Sequence, residues 1–147
     1  MINYQHILIA SDFSAHSQQV IEHAQDLAQR YQAKLSICHI IEDFPIADFA
    51  YEPMISIDLD MRDAMLESGK KHIADIATKY AIPTENQWVE FGSPSHDVVR
   101  LAQENKVDLI IVGSHGRHGI KLLLGSTANG VLHHAQCDVL AVRLSED

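Results

Sequence analysis

The chain has 147 residues, enough for one domain, residues 1–147, that buries about two-thirds of the surface its unfolded form exposes without a metal or disulfide staple. Hydrophobic residues at 46% and charged residues at 21% exclude intrinsic disorder. With 11 basic against 20 acidic residues and a formal charge of -9, the long-range field repels phosphate polymers and anionic membranes, which disfavours nucleic acid but not a small anion held by backbone N–H groups.

The first expected element is a strand over His6 to Ala10, a short β-rich run ending at the polar SDFS, as in a strand covered on both faces. From Ser14 onward, Val20, Ile21, Ala24, Leu27, Ala28 and Tyr31 recur at three- and four-residue steps, the stripe of a helix facing a core. Lys34 to Ile41 is a second strand. The next stretch, EDFPIADFAYEPMIS, carries two prolines and several acids without a period, which predicts a long loop. Met61, Met65, His72, Ile73, Ile76, Ala77 and Tyr80 support a second helix that stops near Pro83. ENQWVEF, Glu85 to Phe91, alternates like a third strand with an exposed face or at a sheet edge.

Ser93 before Pro94 puts a capping hydroxyl at the N-cap and proline at the first helical position, so a third helix is expected from there to about Asn105. VDLIIVG, Val107 to Gly113, is the fourth strand. Ser126 is placed to cap a fourth helix through about Ala135, and CDVLAVRL, Cys137 to Leu144, closes as the fifth strand. Strands alternating with helices require right-handed crossovers, hence an α/β fold with a mostly parallel sheet between helical layers. Such sheets take ligands beyond the carboxyl ends of their strands, near a switch in strand order. That rule singles out Ser11 to Ser14, the residues after Ile40, and Gly113 to Thr127.

The last of these segments reads GSHGRHGIKLLLGST. A glycine-rich turn feeding a helix presents open N–H donors and the positive end of a helix dipole, a setting for phosphate. The same glycines also serve a tight turn and a cap, and spacing alone leaves both readings open. Neither G-x-x-x-x-G-K-[ST] nor G-x-G-x-x-G fits, which disfavours an ordinary P-loop or Rossmann site. Asp12, at the end of the first strand, is either an acceptor for sugar hydroxyls at the ligand rim or a loop and helix-capping acid.

Taken in order, HILIASDFS, the GSP turn before the third helix, DLIIVGSHGRHG and LLLGS resemble the universal stress protein family over essentially the whole chain. The resemblance implies a three-layer flavodoxin-like fold (adenine nucleotide alpha hydrolase-like) with five strands and four helices. It also implies a cytoplasmic homodimer made or used under stress. One branch of that family binds ATP or AMP through G-x-x-G, nine residues, then G-[ST]. Another, the branch of the founding member, lacks the motif and acts without nucleotide through protein contacts. Here Gly113-Ser114-His115-Gly116 and Gly125-Ser126 match in type, but Arg117 to Leu124 supply eight residues, one fewer than the pattern. A missing residue removes up to about 3.3–3.6 Å of reach, and Gly119 offers the freedom to restore it.

By that resemblance Gly116, Gly125, Ser126 and Thr127 meet phosphates, and Gly113 and Asp12 meet the ribose. Ala10, Ser11, Val112 and the backbone around Ile40 form the adenine pocket. Magnesium or manganese on the phosphates accompanies any ATP turnover. The family's dimers use the last strand, which assigns Val139, Leu140, Ala141, Val142 and Arg143 to the interface; a monomer with a shielded edge is the alternative.

Ten histidines invite a metal. His115 and His118 lie in a loop without a CxxC or carboxylate partner, and the adjacent His133 and His134 point in different directions on a helix, so surface or rim roles are expected and no metal site. His39 is expected as a hydrogen-bonded core or rim residue. No GxSxG elbow surrounds Ser11, Ser14 or Ser126, and no general base is visible, so at most slow ATP hydrolysis is expected. Arg117 and Lys121 either neutralise a phosphate or are solvated. Glu42 to Asp63, with Phe44, Phe49, Tyr51, Met54 and Met61, is a lid, a partner surface or a packed connection. Cys38 and Cys137 sit beside β-type residues and suit buried, reduced thiols. MINYQHILIASD has no basic n-region and no apolar run approaches about 18 residues, so neither export nor membrane insertion is expected.

Overall fold

The computed structural model describes residues 1–42, 52–114 and 124–144. Strands β1 (His6–Ala10), β2 (Lys34–Glu42), β3 (Gln87–Gly92), β4 (Leu109–Gly113) and β5 (Asp138–Val142) alternate with helices α1 (Ser17–Tyr31), α2 (Glu52–Tyr80), α3 (Pro94–Glu104) and α4 (Ser126–His134). The strands form one sheet in the order β3-β2-β1-β4-β5, and every pairing is parallel. β3 lies at one edge, as its alternating pattern predicts, and β5 at the other.

Strand side chains point alternately to opposite faces. Ile7, Ile9, Ile37, Leu109 and Ile111 therefore share one face with Val20, Ile21 and Ala24 of α1 and Ile73 and Ala77 of α2. Leu8, Cys38, Ile40, Ile110 and Val112 share the other with Val98, Leu101 and Ala102 of α3 and Ala128 and Val131 of α4. These are the three layers of a flavodoxin-like fold. Ile7, Leu8, Ile9, Ile110 and Ile111 are 0% exposed, which is why β1 and β4 read as unbroken apolar runs. Burying each such side chain contributes about 1.5–3 kcal/mol.

α2 departs most from expectation. It begins at Glu52 rather than near Met61 and spans 29 residues, about 43 Å at 1.5 Å per residue. Pro53 falls in its first turn, where a missing N–H breaks no helical bond, so this proline starts a helix instead of marking a loop. Of the stretch from Glu42 to Asp63, positions 43–51, with Phe44, Phe49 and Tyr51, lie outside the described residues. α1 starts at Ser17 rather than Ser14, because the Ser14 carbonyl and hydroxyl accept the Ser17 and His16 N–H groups at 3.1 and 3.3 Å and close a turn ahead of it.

Two expected caps are also different. Ser93 is the N-cap of α3 but its hydroxyl makes no capping bond; the Asp97 carboxylate instead accepts the Ser93 N–H at 2.8 Å. A Cβ on Gly92 would collide with that carboxylate. Ser126 is the first residue of α4, with Gly125 at the N-cap and no side-chain cap. α1, α2 and α3 are each followed by a non-glycine residue in the left-handed region, Gln32 (φ 52), Ala81 (φ 57) and Lys106 (φ 55). In each case the next N–H returns to a helical carbonyl, Ala28, Ala77 or Ala102, at 2.8–2.9 Å, the Schellman closure that glycine usually serves.

Candidate functional site

The chain winds from β1 to β2 and β3 on one side, then returns to β4 and β5 on the other, so strand order switches between β1 and β4. At the carboxyl ends of these strands lies a cleft of about 780 Å³, walled by the β1–α1 loop, the end of β2, the start of α4 and one face of α2. That size suits a small-molecule ligand. Ala10, Ser11, Asp12, Ile40, Val112, Gly113, Gly125, Ser126 and Thr127 all line it. Gly116 lies outside the described residues, with His115, Arg117, His118, Gly119 and Lys121.

Past Ala10, β2 has no strand neighbour on its β1 side among the described residues, while β3 still pairs its other side. Ser11 N–H donates to the Cys38 carbonyl at 2.9 Å, so the backbone of Cys38 faces β1. By strand alternation the N–H and C=O of Ile40, two residues on, face the same side. β1 has already ended at Ala10, and Ile40 therefore offers a donor and an acceptor side by side to the cleft. Cys38 forms part of the lining from below, and burial pushes its thiol up to about 12, which leaves it an inert packing group. Cys137 is only half-buried, short of the buried site expected for it, and burial raises its pKa as well.

The β1–α1 loop is shaped by its own side chains. Asp12 Oδ1 accepts the Ser14 N–H at 2.9 Å, while among the described residues Oδ2 has no hydrogen-bond partner. One carboxylate oxygen thus serves the turn and the other is available at the rim. Phe13 has φ 59, a left-handed conformation that is rare for a bulky residue and costs about 1–2 kcal/mol. Its ring is stacked between His39, centroid separation 3.8 Å, and His72, 4.0 Å. His39 Nδ1 lies 2.7 Å from the Ser11 carbonyl; a carbonyl only accepts, so Nδ1 carries the proton. His39 is a hydrogen-bonded rim residue, as expected.

At the opposite wall, Gly125 N–H donates to the Ser114 carbonyl at 2.7 Å and the Gly125 carbonyl accepts the Asn129 N–H at 2.9 Å. The N–H groups of Ser126, Thr127 and Ala128 belong to the first helical turn, which has no intrahelical acceptors for them, and they sit at the positive end of the α4 dipole. All three residues border the cleft. Gly125 has φ -58 and ψ 155, angles open to any residue, and no described glycine has positive φ. The turn itself therefore does not demand glycine at position 125.

Ala64, Met65, Ser68, Gly69 and His72 of α2 form a wall of the cleft that the sequence did not assign to it. Their helical spacing is the signal, but the same spacing predicts core packing, and nothing in one sequence separates the two. Among the described residues no group of three or more His, Cys, Asp or Glu side chains is arranged to hold a metal ion. His133 and His134 are both exposed, and the His134 ring pairs with His96 at a centroid distance of 5.5 Å.

The model of the universal stress protein family matches residues 3–143. The chain belongs to the universal stress protein family. Universal stress protein A homolog 1 of Coxiella burnetii is 39% identical to it over 145 residues, 99% of this chain and 100% of the relative. Among solved structures, the universal stress protein UspA from Lactobacillus plantarum superposes with a TM-score of 0.83 at 25% identity, covering 97% of this chain and 100% of its own. A universal stress protein solved in complex with cAMP superposes with a TM-score of 0.63 at 29% identity, covering 98% and 100%. No helix among the described residues of this family member is long and apolar enough to cross a membrane.

Proposed function

We propose that this universal stress protein binds an adenine nucleotide, ATP or AMP, in the cleft at the β1/β4 switch and acts as a cytoplasmic, homodimeric sensor in the stress response, with at most slow hydrolysis. The observation that carries this is the meeting, in one cleft, of the backbone pair of Ile40 and the first-turn N–H groups of α4. A donor and acceptor side by side suit the N1 and N6 edge of adenine. Bare amides at a helix N-terminus suit phosphate. Between them, the second oxygen of Asp12 is available to accept from ribose hydroxyls, with Gly113 beside it; Ala10, Ser11 and Val112 pack around the base, and Gly125, Ser126 and Thr127 surround the phosphates, a role that the family resemblance also gives to Gly116. The cAMP complex of a relative supports an adenine nucleotide as the ligand class.

A magnesium or manganese ion, where present, would be held largely by phosphate oxygens and water, with the hydroxyls of Ser126 and Thr127, which line the cleft, as protein oxygens that could assist. For the dimer, β5 pairs with β4 on one side and its outer edge accounts for the assignment of Val139, Leu140, Ala141, Val142 and Arg143 to a twofold strand pairing. A second reading, a nucleotide-free dimer acting through protein contacts, is favoured by the eight-residue spacing between Gly116 and Gly125.

Acid extraction of the purified protein, with chromatography of the supernatant, separates the two, followed by calorimetric titration with ATP and AMP. Released adenine nucleotide or saturable binding heat is the expected result. Absence of both supports the nucleotide-free reading, and sedimentation as a dimer tests the shared part.

A further inference from the structure

We propose that Phe13 is a positioning residue: clamped between His39 and His72, its ring holds Ser11–Ser14 in the conformation that offers Asp12 to the cleft. The ligand in this statement rests on the nucleotide reading above, whereas the clamp is a property of the protein alone.

A left-handed phenylalanine, φ 59, persists only where surrounding structure over-determines it. The hydrogen bonds inside the loop are local: Ser14 N–H to Asp12 Oδ1 at 2.9 Å, and Phe13 N–H to Ser11 Oγ and His16 N–H to Ser14 Oγ at 3.3 Å, span two residues each. From other elements, β2 ties the Ser11 N–H to the Cys38 carbonyl at 2.9 Å, and the restraints on Phe13 itself run through the rings. His39 of β2 fixes the Ser11 carbonyl through Nδ1 at 2.7 Å and lies on one face of Phe13 with an interplanar angle of 28°. His72 of α2 covers the other face at 16°.

Two consequences follow from this geometry. Both faces of Phe13 are occupied, so it has no face to lend to a base, and its contribution is the placement of its neighbour Asp12. Because His72 belongs to the α2 wall, the position of α2 and the position of the ribose-side carboxylate share one support. Stacked aromatic pairs of this kind are directional and break when a ring is removed.

Amide exchange of Ser14 and His16, whose N–H groups close the loop, reads loop order without any ligand. Phe13→Ala, Phe13→Gly and His72→Ala are expected to speed this exchange roughly two- to tenfold and to weaken ATP binding by a similar factor, the span of one aromatic pair. His72→Phe, which keeps a ring in place, is expected to restore both, and the amide of Ile110 in β4 serves as the unchanged reference. Wild-type exchange and affinity in Phe13→Gly, which adopts the left-handed angle without a ring, or in His72→Ala, an exposed position that folds without its ring, overturn the clamp. Faster loop exchange in these variants, in a wild-type protein that takes up no nucleotide, upholds the clamp and removes the nucleotide reading instead.

Discussion

At the amino end of the sheet, His6 Nδ1 donates to the Asn105 carbonyl at 3.0 Å and Nε2 pairs with the Ser36 hydroxyl at 2.7 Å. Asp108 accepts the Gln5 and His6 N–H groups at 2.8 and 3.0 Å. At the carboxyl end, by contrast, the Ile40 backbone pair, one oxygen of Asp12 and the first turn of α4 border a cleft. One parallel sheet thus closes its polar groups upon each other at one end and presents them at the other. The lesson is that polarity alone does not mark a site. Ser36 is 0% exposed and hydrogen-bonded beside a histidine, yet it is a structural group; the informative groups are those whose partners the protein does not supply.

The largest expected effect breaks the closed end. His6→Ala would open a cavity and leave the Ser36 hydroxyl buried without its partner, lowering stability by about 2–4 kcal/mol in urea unfolding. Nucleotide affinity of the folded fraction should not change, since the cleft is at the far end. Burial also holds the His6 imidazole below its ordinary 6.5. The unfolded chain therefore takes up its proton first as pH falls. The stability His6 contributes is complete above about pH 6.5 and is lost as pH drops through the lower folded-state value. Urea midpoints measured from pH 8 to 5 should show this decline in the wild type and a shallower one in His6→Ala.

At the presenting end, Gly125→Val should do the reverse. Its backbone angles accept valine, so stability should stay within about 0.5 kcal/mol, while crowding of the phosphate approach should weaken ATP binding by about 1.5–3 kcal/mol in calorimetry. Unchanged affinity would remove the α4 cradle. Asp12→Asn keeps an oxygen for the turn on Ser14 but removes the charge and replaces the rim oxygen with an NH2 donor, so a loss of about 1 kcal/mol in affinity is expected with the fold intact. The smallest effect lies away from both ends. Ala81→Gly should relieve the left-handed strain after α2 and stabilise the protein by about 0.5–1 kcal/mol, with no effect on ligand.

The sequence disclosed the elements that bury a whole face. β1 and β4 are short apolar runs because both sides are covered, and α1 shows its stripe because only one side is. It disclosed the start of α2 poorly, since Pro53 there opens a helix and the acids around it carry no period. The helix ends at Gln32, Ala81 and Lys106 were hidden because no glycine marks them. Of the cleft, the strand-end and helix-start residues were legible from topology and from the family resemblance. The Phe13 stack was not, because it joins positions 13, 39 and 72, which only the packing of α2 on β2 brings together.

The most direct test of the central claim is the amide spectrum of the isotopically labelled protein during titration with AMP. Saturable shifts are predicted at Ile40, Ser126 and Thr127, with His6 and Ser36 unmoved. A spectrum that stays unchanged at those three amides through saturating AMP and ATP would contradict it.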